Sequence, residues 1–171
     1  MTTKQQTSKE YFQSMRMIYY ALLFGLFSFC LIVLFLYLND GMQPFDEFLK
    51  NTYLGVLAVL SIGSFLFGNV IFKRKIQATS GKVNLFEKMA DYRSATILRY
   101  AIIEGPAFFA IILSFVTGDL LFLGIGTLII AYLFTLKPTM ERAIKDLELS
   151  HKEQDLLSDP NAVIAEIMVG R

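Results

Sequence analysis

The chain has 171 residues, of which 54% are hydrophobic and only 18% charged, and its formal net charge is +1. That balance gives no whole-chain electrostatic case for nucleic acid. With one cysteine, Cys30, and one histidine, His151, an intrachain disulfide is excluded and a Cys/His zinc or haem centre is not expected, so no metal and no cofactor is assigned.

Taken in order, the chain opens on a polar run, residues 1–16, whose second half mixes Tyr11, Phe12 and Met15 with charge and predicts a short interfacial helix over 8–16. Apolar residues then gather into four blocks near 17–38, 53–72, 97–116 and 120–136. Each approaches the ~20 residues that cross ~30 Å of hydrocarbon, and none carries the polar face of a buried soluble helix. The first block is too long for a cleaved signal sequence and reads as a retained signal anchor. Cys30 lies within it and packs as a small hydrophobe. Between the first two blocks, Asn39-Asp40-Gly41 and Pro44 signal a turn. The basic loop after the second block has Thr79-Ser80-Gly81 at its centre and predicts a short helix over about 84–93. Thr117-Gly118-Asp119 is a tight turn.

After Pro138 the spacing predicts a solvated helix to about Leu157, with Glu141–Lys145 and Glu148–Lys152 at i,i+4 and a thin apolar face of Met140, Ile144 and Leu147. Ser158-Asp159-Pro160 reads as a cap with Pro at the first helical position, opening a last helix over 161–169. All but Lys50 of the 16 basic residues fall in the N-terminal run, the loop between the second and third blocks, or the tail. By the positive-inside rule that side is the cytoplasm. The expected fold is therefore an all-α membrane protein: a cytoplasmic segment 1–16, four transmembrane helices over 17–136 in two hairpins, and a cytoplasmic helical tail 137–171. The expected location is a bacterial-type inner membrane.

A weak repeat appears at an offset of 80 residues, with identities at Ser14/Ser94, Tyr20/Tyr100, Ala21/Ala101, Gly25/Gly105, Phe29/Phe109, Ile32/Ile112 and Phe35/Phe115. It is either a duplicated hairpin or the coincidence of two apolar helices in a chosen register. In that register Phe24 stands opposite Glu104.

Glu104 is the one acidic residue inside the four blocks. Charge at such depth costs roughly 2.5–3.5 kcal/mol on insertion scales, which marks a functional site by default. It lies roughly 10 Å from the cytoplasmic edge at 1.5 Å per residue. Pro106 withholds one backbone donor and frees the carbonyl of Ile102, predicting a kink, and Gly105 would let a neighbouring backbone come close. Tyr100, at i−4, shares the face of Glu104, with Ala101 and Ala107 flanking. Asn69 on the second span and Tyr132 on the fourth are expected at similar depth. Ser61, Ser64 and Gly68 give the second span a small-residue contact stripe. Three readings stand side by side: hydrogen-bonded helix glue, a site for a proton or monovalent cation, and a contact with another subunit. Arg99, near a helix end, reads as snorkelling to headgroups, with an Arg99–Glu104 pair as the other reading.

Ala101, Glu104 and Pro106, with Gly55, Gly63 and Gly68 on the preceding span, resemble the proteolipid hairpin of rotary ATPases, and the likeness is carried mainly by residues 81–116. The resemblance implies a carboxylate that carries the translocated proton or sodium. The second span lacks that family's dense glycine repeat, and the loop is longer. As a whole the chain also resembles small four-span inner-membrane proteins of bacteria. No Ser/His/Asp or Cys/His set and no phosphate-cradling glycine loop is visible. The expected role is a non-enzymatic subunit or scaffold of a membrane assembly, its partners being the lipid bilayer and either other membrane subunits or further copies of the chain. Ion translocation through an oligomer is the alternative.

Overall fold

The computed structural model describes residues 2–40, 47–79 and 81–169; Gly41 and Pro44 of the predicted turn, Ser80 and Arg171 lie outside them. Along the chain run β1 (Thr2–Thr7), α1 (Ser8–Asp40), α2 (Glu47–Thr79), α3 (Leu85–Thr117), α4 (Leu120–Phe134), α5 (Met140–Leu147), α6 (His151–Ser158) and β2 (Val163–Val169). Three helices, α1 to α3, are long and apolar enough to cross a membrane, and α4 is a shorter apolar helix of 15 residues.

The helix starts are locally encoded. Thr7 and Glu10 form a reciprocal box, with Thr7 N donating to Glu10 Oε2 at 3.1 Å and Glu10 N to Thr7 Oγ1 at 3.3 Å. No breaker follows, so the predicted interfacial helix and the first apolar block form one helix. Asn84 Oδ1 accepts from Phe86 N at 3.0 Å at the start of α3, which runs unbroken from the predicted loop helix through Pro106. Gly118 has φ 65, a conformation glycine adopts without penalty, and Asp119 then caps α4 by accepting from Leu121 N at 2.9 Å.

The chain divides into two compact units. A strand-bearing unit comprises Met1–Tyr19, Val70–Arg99 and Lys137–Arg171, and an apolar unit comprises Tyr20–Asn69 and Tyr100–Leu136.

In the strand-bearing unit two tail expectations are overturned. The tail is not one solvated helix. Glu148 adopts φ 48 and ends α5, Leu149 N closes back on Ile144 O, and Ser150 and Glu153 make a capping box that starts α6. The predicted Glu148–Lys152 spacing therefore does not lie on one helix. Ala143, Leu147, Leu149 and Leu157 are buried with Tyr11, Phe12, Met15, Phe72, Met89 and Tyr92 in one core. The predicted last helix is strand β2, paired antiparallel with β1 from Thr2↔Val169 to Thr7↔Val163, with an irregularity between Gln6 and Thr7. Asp159 Oδ1 accepts from Asn161 N at 2.9 Å and forms a turn in place of the predicted cap. Ser8 ties this turn down, its N–H donating to Ala162 O and its Oγ to Leu157 O at 2.6 Å.

In the apolar unit α4 lies close on α3. A Cβ placed on Gly126 would stand 3.4 Å from Ala110 Cβ, 3.4 Å from Ile111 Cγ1 and 3.5 Å from Ala107 O. Leu57, Ala110, Leu113 and Phe122 form a cluster beside it. Lys50 pairs with Asp119. Gly126→Ala is expected to melt at or above the wild-type temperature in detergent, because one methyl makes ordinary contacts there. Gly126→Leu is expected to lose about 1–3 kcal/mol by overpacking, and equal melting of all three proteins would refute this close approach.

Candidate functional site

Glu104 and the candidates Tyr100, Gly105, Pro106, Asn69, Tyr132, Ser61, Ser64 and Gly68 fall in the apolar unit, and the structure sorts them into two groups. The first group is assembled. Asn69 Nδ2 donates to Phe65 O at 2.7 Å and lies 3.3 Å from Tyr132 Oη, so these two candidates for Glu104 meet each other across α2 and α4. The rings of Phe65 and Tyr132 pack with centres 4.9 Å apart. Ser61, Ser64, Ile103, Pro106 and Tyr132 line a groove of about 340 Å³. Gly68 is buried. Ser61 Oγ is buried without a hydrogen-bond partner among the described residues. The groove is otherwise apolar, and its polar points are the hydroxyls of two serines and a tyrosine. It suits an apolar chain with one or two hydrogen-bonding groups.

The second group is separate. Glu104 does not line the groove, and among the described residues no hydrogen bond or ion pair reaches its carboxyl. Tyr100 is buried, but its hydroxyl donates to Leu136 O at 2.7 Å, so it closes the end of the α4 segment and does not serve the acid. Gly105 is exposed, and a Cβ there would meet nothing within 4 Å. Among the described residues no backbone of this chain approaches Gly105; the close approach within the chain is made by Gly126 of α4 against the buried face of α3. Glu104 stands at the margin between the buried face of α3 (Tyr100, Ala107, Ile111) and its open face (Ala101, Gly105, Ile112).

Sequence spacing could place residues on a face, but it could not say which face another helix covers. Gly126 was missed because a lone glycine in an apolar block looks like many others in this chain. Its signal is the matching Ala107 and Ala110 on α3, one turn apart, which only matters once α3 and α4 are known to be neighbours.

Arg99, in the strand-bearing unit, has its guanidinium carbon 4.8 Å from the centre of the Phe72 ring, a cation–π arrangement. Nearby Asp146 is pushed up by burial, against the opposing fields of Arg99 and Arg142. Among the described residues no group of three or more His, Cys, Asp or Glu side chains could hold a metal ion.

No family model, curated protein or solved structure matches this chain.

Proposed function

We propose that the chain is a non-enzymatic integral membrane protein acting as a subunit or scaffold of a membrane assembly, seated in a bacterial-type inner membrane with both termini cytoplasmic. Three long apolar helices support the membrane placement. The pairing of β1 with β2 supports an even number of crossings, because ends held together lie on one side, and so favours reading α4 as the fourth span. The charge asymmetry supports the cytoplasmic assignment of that side.

The observation that carries the assembly reading is the solitary state of Glu104. A carboxyl at hydrocarbon depth needs a hydrogen-bonding partner, its own chain supplies none among the described residues, and it stands beside the open face bearing Ala101 and Gly105. A neighbouring helix can approach closely over such small residues and supply the missing group. The surface for neighbours is large: only 11% of the apolar window of α2 is buried within the chain, against 50% for α3.

A photoreactive side chain placed at Gly105 is expected to capture a neighbouring membrane helix in cells. Glu104→Gln should keep that adduct, because the amide still hydrogen-bonds, and Glu104→Leu should weaken it. Lipid-only labelling at Gly105 in the wild type would end the assembly reading. The same solitary carboxyl favours the alternative, proton or monovalent-cation translocation through an oligomer. There Glu104→Gln should abolish a pH-driven flux in reconstituted vesicles, and equal flux from mutant and wild type would sink it.

A further inference from the structure

We propose that the strand-bearing unit holds a pocket for the phosphate-bearing headgroup of an anionic membrane lipid, a proposal that rests on the membrane reading above. A cavity of about 570 Å³ opens between the start of α1 and the tail. Three cations line it, Lys9, Arg16 and Lys137, against one acid, Glu141. The cations outnumber this acid, so the lining stays positive. The carboxyl of Glu141 is held below the usual carboxylate range by its own backbone N–H and then by the Thr139 hydroxyl, so it is turned onto the start of α5. Arg16 is anchored at the edge by its Nε, which donates to Phe12 O at 3.2 Å. Its terminal nitrogens carry further donors in the fork geometry that matches phosphate oxygens.

Two features select a lipid over a free phosphate. The wall is apolar where Phe12 and Leu157 enter it, both buried, and the cavity is far roomier than one inorganic anion needs. The cations also stand where apolar helix meets polar medium. Arg16 is the last charged residue before the long apolar stretch of α1, and Lys137 is the first after α4. Lipid phosphates lie at that level, and basic pockets at the cytoplasmic ends of spans hold anionic headgroups. The lysines act as point charges on the phosphate, the arginine fixes its orientation, and Phe12 lies along the glycerol and upper acyl region.

The test uses the full chain in detergent, with native mass spectrometry reading retained lipid. Wild type is expected to retain phosphatidylglycerol over phosphatidylcholine by roughly a factor of ten or more. The triple variant Lys9→Gln, Arg16→Gln, Lys137→Gln should retain the two equally, and the charge-matched variant Lys73→Gln, Arg74→Gln, Lys75→Gln should keep the preference. Inorganic phosphate should not displace the lipid. Equal retention by wild type overturns the proposal, as does a preference that survives in the pocket triple or disappears equally in both triples. Displacement by inorganic phosphate reassigns the pocket to a free anion and also overturns it. The single exposed change Lys137→Gln should show the same loss at smaller amplitude and guards against misfolding of the triple. Extraction of wild type from membranes by alkaline carbonate would defeat the membrane reading itself, whereas a carbonate-resistant chain with no lipid preference defeats only this pocket.

Discussion

Tyr11→Ala is expected to destabilise the strand-bearing unit by about 3–5 kcal/mol, the range for removing a large buried aromatic ring. Tyr11 is 0% exposed in the core of that unit. Its ring packs edge-on against Phe12, with centres 5.1 Å apart, and lies 4.5 Å under the guanidinium carbon of Arg93. Its hydroxyl donates to Met89 O at 2.7 Å. One side chain thus joins the first turn of α1 to α3 and seats a cation that also donates to Gln6 Oε1 in β1. Truncation would leave a cavity, a helical carbonyl with one donor fewer and a cation without its ring. Tyr11→Phe removes only the hydroxyl and should cost about 1 kcal/mol. Amide exchange in α5 and in the paired strands reports the opening of this unit. Unchanged protection there in Tyr11→Ala would show that the core does not depend on this residue.

Glu153→Gln is expected to cost about 3 kcal/mol, because it leaves Lys88 without its counter-charge in a nearly closed site. Lys88 Nζ lies 2.7 Å from Glu153 Oε1, and the side chains are only 11% and 15% exposed. Lys88 stands on α3 and Glu153 on α6, where it also caps the helix by accepting from Ser150 N and Oγ at 2.8 Å. The double change Lys88→Met, Glu153→Leu should recover part of the loss, since an apolar pair of similar size carries no desolvation cost. The pH dependence has a definite sign. Burial raises the Glu153 carboxyl, but the hydrogen bonds from Lys88 and Ser150 outweigh it, and the net position is below the usual carboxylate range. Its contribution is therefore complete above the unfolded-state value and disappears as pH falls through the folded one. Asp146, raised chiefly by burial, acts with the opposite sign: its ionisation in the folded state weakens the unit as pH rises through the carboxylate range. Glu153→Gln should flatten the acid limb of the melting curve in wild type, and an unchanged limb would refute the assignment.

Both effects depend on groups that sequence patterning treated as surface. Lys88 lay in a basic loop and Glu153 in a tail expected to be solvated. Sequence patterning anticipated a helix start near Asn84 and the turn before Asp119, but ran through the Ser150–Glu153 box that starts α6 and did not use the Thr7–Glu10 box of α1. The strand β2 escaped notice because Val163, Ile164, Ile167 and Met168 also fit a helical stripe, and seven residues are too few to separate the two periods. Its partner, Thr2–Thr7, is polar and carries no strand pattern of its own, so only pairing at long range makes either segment a strand.

The same division holds for the intramembrane site. Hydropathy located four apolar blocks, because crossing a bilayer needs a run of uncharged residues that any window can count; three of them lie in helices long enough to span, and the fourth is the shorter α4. The presence of Glu104 within one of them was legible for the same reason. Helical spacing set Asn69 and Tyr132 at a similar depth, and the structure shows that they meet each other. Only the tertiary structure decided that Tyr100 gives its hydroxyl to Leu136, that Gly126 and not Gly105 marks the close approach of two helices, and that Glu104 stands apart from the groove. The physical reason is that a helix's own sequence sets which residues share a face, whereas the neighbour that covers the face depends on rotation about the helix axis. In a chain whose spans are apolar all round, no polar stripe fixes that rotation; shape and a few hydrogen bonds do.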